Sequence, residues 1–262
     1  IGFEPHQLRR QLGQAARLPE LAAELVRLKP DLIVAWFTPA ALAAKRATGD
    51  IPIVMALAGD PVETGLVASL ARPGGNVTGI AGVGGELAAK CVEMLREMLP
   101  AAHRIAALVN VPDPFSKPFL EQIRRSGAAS GTAIDPVMIH SPDELEAAFA
   151  AMEHNRPDAA IVQPSLPTRR VAALAVQHRL PLASFIRDVA DEGGLMAYTS
   201  DEGDEYRRAA LFVDKVLKGA KPADLPVEEP TKFDLIINLK TAKAIGLTIP
   251  PAFLERADEI IE

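Results

Sequence analysis

The sequence predicts an α/β protein with parallel sheets, and three observations carry that reading. Short apolar runs recur along the chain, several rich in Val, Ile and Leu without polar alternation, as strands buried on both faces require. Helical stretches separate them, which is the alternation of βαβ units. The number of runs suggests two sheets, and 262 residues fit one large or two medium domains.

The strand runs are Asp31–Phe37, Ile51–Leu57, Val77–Ala81, Arg104–Asn110, Ala133–His140, Ala159–Gln163 and Leu180–Phe185. Helices are predicted over Pro39–Ala47, Pro61–Ala71, Glu86–Leu99, Phe115–Ser130, Pro142–His154 and Pro167–His178. Thr38-Pro39 and Asp60-Pro61 each place a capping oxygen before a proline suited to the first helical position. Ser141-Pro142-Asp143-Glu144 reads as a capping box. Arg72-Pro73-Gly74-Gly75-Asn76 reads as a helix stop and turn. Gly79–Gly85 holds four glycines in seven residues but lacks the Lys-Ser/Thr of a phosphate loop, so it reads as a flexible connection. Further on come an amphipathic helix over Asp201–Gly219, a Pro- and Asp-rich linker over Ala220–Val227 and a strand over Lys232–Asn238. Two helices, Leu239–Gly246 and Pro251–Ile261, close the chain.

Charge narrows the partners. Against 34 acidic residues stand 28 basic ones, and no basic stripe is present to neutralise phosphates. Nucleic acid and anionic membrane are therefore not expected partners. No window of 18 or more apolar residues suggests a spanning helix, and no secretory leader is read. The single cysteine, Cys91, permits no intramolecular disulfide and falls where a helix would face the core.

Enzyme chemistry finds no signature. His6, His103, His140, His154 and His178 show no metal-ligand spacing, and no G-x-S-x-G occurs. The acidic clusters Asp188–Glu192 and Asp201–Glu205 read as a solvated face and a first helical turn. Neither catalysis, cofactor nor metal is expected. Candidate binding residues are those at strand carboxyl ends, where open α/β sheets take their ligands. They are Phe37, Thr38, Pro39 and Ala40; Asp60, Pro61 and Val62; Asn110; Gln163 and Ser165; Arg187; and Tyr198. That inventory suits a small ligand with an apolar body, a carboxylate and an amine.

Four stretches carry a family resemblance: Ile51-Pro-Ile-Val-Met; Gly59-Asp-Pro-Val-Glu-Thr-Gly-Leu-Val-Ala-Ser-Leu-Ala-Arg-Pro-Gly-Gly-Asn-Val-Thr-Gly79; Leu211-Phe-Val-Asp-Lys-Val-Leu-Lys-Gly-Ala-Lys-Pro-Ala-Asp-Leu-Pro-Val-Glu228; and Pro230-Thr-Lys-Phe-Asp-Leu-Ile-Ile-Asn-Leu-Lys-Thr-Ala-Lys-Ala-Ile-Gly-Leu-Thr-Ile-Pro-Pro251. From about Leu18 onward the chain resembles bacterial ABC-transporter substrate-binding proteins, the family that includes the tryptophan- and phenylalanine-binding proteins of the TrpX type. The resemblance implies a type I periplasmic binding fold, with two Rossmann-like lobes and a ligand in the cleft. It places Thr38-Pro39-Ala40, Asp60-Pro61-Val62, Asn110, Ser165 and Tyr198 in the family's cleft loops. It also implies an extracytoplasmic location and a membrane permease as partner.

On this reading residues 1–82 with 202–220 form the first lobe, and 83–201 with 221–262 the second. Hinges fall near 81–85, 199–202 and 220–228. The ligand is a small amino acid or related carboxylate. Thr38 and Ser165 would donate to its carboxylate, Asp60 would face its amine or hydroxyl, and Tyr198 and Phe37 its apolar body. A ligand-sensing module for a signalling partner is the alternative. The family also opens with a strand and helix ahead of the segment matching Ile1–Pro5, both absent here. Strand Asp31–Phe37 is then expected to show an open edge beside Trp36. Either Ile1–Pro5 would fill it, or the first lobe would self-associate.

Overall fold

A computed structural model describes residues 17–262. The expected place of Ile1–Pro5 lies outside the described residues. Along the chain come α1 (Leu18–Arg27), β1 (Ile33–Trp36), α2 (Phe37–Ala47), β2 (Ile53–Gly59), β3 (Val77–Gly82), α3 (Gly84–Met98), β4 (Arg104–Asn110) and α4 (Ser116–Ser130). Then follow β5 (Ala133–Ile139), α5 (Leu145–Asn155), β6 (Ala159–Val162), α6 (Thr168–Gln177), β7 (Leu182–Ser184), α7 (Arg187–Asp191) and β8 (Met196–Ser200). The last elements are α8 (Glu202–Leu217), β9 (Phe233–Asn238), α9 (Leu239–Ile245), α10 (Pro251–Leu254) and β10 (Glu259–Ile261).

The chain divides into two compact units. The first runs through Val83 and adds Asp113–Phe115 and Asp201–Thr231; the second comprises Gly84–Pro112, Ser116–Ser200 and Lys232–Glu262. The chain passes from the first to the second at 83/84, at 115/116 after the short return of 113–115, and again at 231/232. Residues 221–231 therefore correct the sequence reading, which placed them in the second lobe. They are no free linker. Val227 donates its N–H to the Leu70 carbonyl at 2.8 Å, and Glu228 donates to Gly79 at 3.0 Å. Ala81 returns a bond to Glu228 at 2.8 Å, so the segment lies along β3 as an extra short strand. The Arg208–Glu228 ion pair at 2.6 Å ties it to α8.

In the first unit β1, β2 and β3 pair in parallel, in that order. Both faces of the sheet are covered, which is why β2 reads as a continuous apolar run. On one face Ile53, Met55 and Val77 pack with Ala41 and Leu42 of α2. On the other, Val54, Ala56 and Ile80 pack with Ala209, Phe212 and Val216 of α8. Gly79 is required by close approach: with φ at +128°, a Cβ there would lie 2.1 Å from the Met55 carbonyl oxygen. Among the described residues β1 pairs only with β2, and beside it lies an apolar concavity of about 500 Å³ lined by Leu21, Leu25, Leu28, Val34 and Trp36.

The second unit holds a seven-stranded sheet in the order β10-β9-β8-β7-β6-β4-β5. Every pairing is parallel except β8 with β9. From β4 the chain steps outward to β5, then returns to β6 on the other side of β4. The order of strands thus reverses between β4 and β6.

Two predicted helices are not helices. Pro61–Ala71 is a chain of turns: Gly65 has φ at +75°, and the Pro61 carbonyl takes the N–H groups of both Leu66 and Val67. Pro251–Ile261 is helical only to Leu254. Asp258 then accepts the Leu235 N–H at 2.8 Å and donates its own N–H to Leu235 at 2.9 Å, which turns 259–261 into a strand beside β9.

Candidate functional site

In the first unit the candidate residues sit at the carboxyl ends of β1 and β2, where the backbone is strained. Phe37, Leu57 and Asp60 have φ at +61°, +56° and +41°. Each L residue held there costs about 1–2 kcal/mol, and such strain concentrates at ligand-binding and catalytic sites. Leu57 sits in a bulge where the β2–β3 register slips, and that bulge re-aims the chain into Gly59-Asp60. Thr38 is buried and donates its hydroxyl to the Gly59 carbonyl at 3.3 Å, joining the two strand ends. Asp60 caps the turn that follows: its Oδ1 accepts the Glu63 N–H at 3.2 Å, and its carbonyl accepts the Thr64 hydroxyl at 2.8 Å. Lys45 of α2 holds the far side of that turn by donating to the carbonyls of Gly65 and Leu66 at 2.7 and 3.1 Å.

The other first-unit candidates are apolar. Trp36 stacks on Tyr206 with centroids 4.4 Å apart and meets the Phe37 ring edge-on at 5.7 Å. Pro61 is buried and Val62 exposed. Ala40 packs toward the core and the concavity beside β1. Phe115, which the sequence reading passed over as a helix start, lies against Gly59; a Cβ on Gly59 would meet its ring at 2.7 Å. Asp113 accepts the Phe115 N–H at 2.9 Å and sets that loop.

In the second unit three candidates come together. Asn110 ends β4, and its backbone N–H donates to Gln163 Oε1 at 3.0 Å. Its Nδ2 donates to Ser165 Oγ at 2.9 Å. Gln163 and Ser165 follow β6, and Gln163 is fully buried. This cluster therefore stands at the point between β4 and β6 where the strand order reverses, the place at which open α/β sheets bind ligands. Tyr198 lies apart on β8, its ring 5.9 Å from that of Phe233. Arg187 is committed elsewhere: Glu259 takes two of its N–H groups at 2.5 and 2.7 Å, and Asp191 a third at 3.1 Å. Those carboxylates hold the guanidinium pKa above its usual value, and Arg187 holds the Glu259 carboxyl below its own.

Cys91 is buried, its Sγ donates to the Ser184 carbonyl at 3.3 Å, and burial pushes its thiol up to about 12. Among the described residues no group of His, Cys, Asp and Glu could hold a metal, and no helix is long and apolar enough to cross a membrane.

The model of one family, ABC transporter substrate binding protein, matches residues 6–261. The chain belongs to that family. Proteins of this family bind their substrates and are not enzymes. A curated relative, the tyrosine-binding protein of Clostridioides difficile, is 29% identical over 232 residues, which is 87% of this chain. The chain spans about two thirds, 66%, of that relative's length. Among solved structures, an ABC domain from Streptococcus pneumoniae in complex with L-Trp is 29% identical with a TM-score of 0.88, covering 95% of this chain and 84% of that one. A conserved domain protein from Vibrio cholerae is 27% identical with the same TM-score, over 94% and 84%. The fold of this substrate-binding protein is that of the type I periplasmic binding proteins.

Proposed function

We propose that this chain is the solute receptor of an ABC importer and that its ligand is an aromatic amino acid. The observation that carries the reading is the Asn110–Gln163–Ser165 cluster at the reversal between β4 and β6. Gln163 is held by the β4 terminus, which leaves the Asn110 amide and the Ser165 hydroxyl at the strand ends to meet a carboxylate or amine. The aromatic character rests on a relative that carries tyrosine in its name and on a similar solved structure that holds L-Trp. An extracytoplasmic location and a membrane permease as partner belong to the same reading. A hinge motion would turn where the chain passes between units, at 83/84, 200/201 and 231/232.

Calorimetry with L-Trp, L-Tyr, L-Phe and an aliphatic series tests it. At least one aromatic amino acid should bind in saturable 1:1 fashion and, at 100 times its Kd, stabilise the protein by about 2.7 kcal/mol. Heat and thermal shift from aliphatic amino acids alone would replace the aromatic assignment.

A further inference from the structure

At the opposite, amino-terminal edge of the second sheet lies a concavity that the proposed function does not use. It measures about 710 Å³ and is lined by the ends of α5 and α6 and the segments entering β6 and β7. That is within the volume range of small-molecule sites. The four-residue strand β6 separates it from the Asn110–Gln163–Ser165 cluster, roughly 13 Å at 3.3 Å per residue. Its apolar lining is Phe149, Met152 and Leu180, all largely buried.

Its charged lining is unbalanced. Arg156 and Arg179 both line it, and among the described residues neither guanidinium takes part in an ion pair or hydrogen bond. The single carboxylate, Glu153, is already bonded by His178 Nδ1 at 2.8 Å. Two guanidinium groups against one carboxylate leave a positive lining before His154 or His178 takes up a proton. Both arginines also sit where the backbone favours glycine, with φ at +42° and +52° just past the ends of α5 and α6. The helix ends at Gly131, Gly219 and Gly246 use glycine for the same turn. A basic side chain does complement a helix carboxyl end. That accounts for one arginine at each helix, but not for both lining one concavity whose single carboxylate, Glu153, is bonded to His178.

We propose that this concavity is a second ligand site, distinct from the amino-acid site, for a small organic anion with an apolar body. Arg156 and Arg179 take the anionic group through forked, charge-assisted hydrogen bonds, and Phe149, Met152 and Leu180 take the body.

The test uses phenyl phosphate as probe, with inorganic phosphate and phenol as its two halves. Binding is followed by calorimetry and by the imidazole NMR signals of His154 and His178. Phenyl phosphate should bind saturably and move both signals, and each half should bind at least about tenfold more weakly. Arg156→Gly with Arg179→Gly keeps the left-handed turns and removes both cations. It should weaken phenyl phosphate at least about tenfold, the scale of losing one charged hydrogen bond, and leave amino-acid binding unchanged. Arg156→Gln with Arg179→Gln checks that result on a second background. Absence of a saturable shift, or equal binding by both double variants and wild type, overturns the site. Equal affinity for inorganic phosphate overturns its apolar half. Loss of amino-acid binding in the same variants overturns its independence.

Discussion

At the ends of β1 and β2 the backbone is strained, and polar side chains are spent on holding it. The Thr38 and Asp60 side chains bond main-chain groups of Gly59 and Glu63, the Thr64 hydroxyl donates to the Asp60 carbonyl, and three residues lie at positive φ. At the ends of β4 and β6 the strands are regular, and side chains bond one another through Asn110, Gln163 and Ser165. The difference separates two ways of shaping a strand end. One shapes the main chain and presents apolar groups such as Phe37 and Val62. The other positions donors and acceptors.

The largest effect should come from Gln163→Met, which keeps the volume but removes the acceptor of the Asn110 N–H. A buried N–H left unpaired costs about 1–3 kcal/mol, and the loosened Asn110 should lower affinity at least about tenfold. Urea unfolding and calorimetry on the same samples measure both. Unchanged affinity would move the polar contacts away from this cluster.

Next comes Gly59→Ala, which drives a methyl group into the Phe115 ring. Overpacking of this kind costs about 1–3 kcal/mol. Combined with Phe115→Ala, the loss should be smaller than the sum of the two single changes. Strict additivity would mean that the ring does not support this strand end.

The smallest effect is the most discriminating. Asp60→Ala removes a turn cap and should lower stability by about 0.5–2 kcal/mol. If the first unit presents shape and not charge, Kd should stay within about threefold, under 1 kcal/mol. A tenfold rise in Kd at unchanged melting temperature would place Asp60 against the ligand's amine and erase the contrast between the two ends.

The central strands were legible because a parallel sheet covered on both faces demands unbroken apolar runs, as in Ile53–Gly59 and Arg104–Asn110. Asn110, Gln163 and Ser165 were legible as strand-end residues for the same reason. Phe115 was not, because its role depends on Gly59, far away in sequence, and no local pattern records that contact. Arg187 looked available as a strand-end cation until Glu259 of β10 reached it.

What the sequence determined by itself is the α/β class, the family and the strand ends that carry the candidate residues, since these follow from local periodicity and from long motifs. Tertiary structure decided the rest. Residues 220–231 carry linker composition, yet backbone bonds to β3 make them part of the first unit. The 61–71 segment carries helical periodicity, yet Gly65 and the doubly bonded Pro61 carbonyl close it into turns. Met196–Ser200 became a strand because it pairs in parallel with β7 and antiparallel with β9. In the first and last cases a hydrogen-bond partner distant along the chain outweighed local propensity. Each such bond contributes on the order of 1 kcal/mol, more than the few tenths by which most residues prefer one backbone state over another.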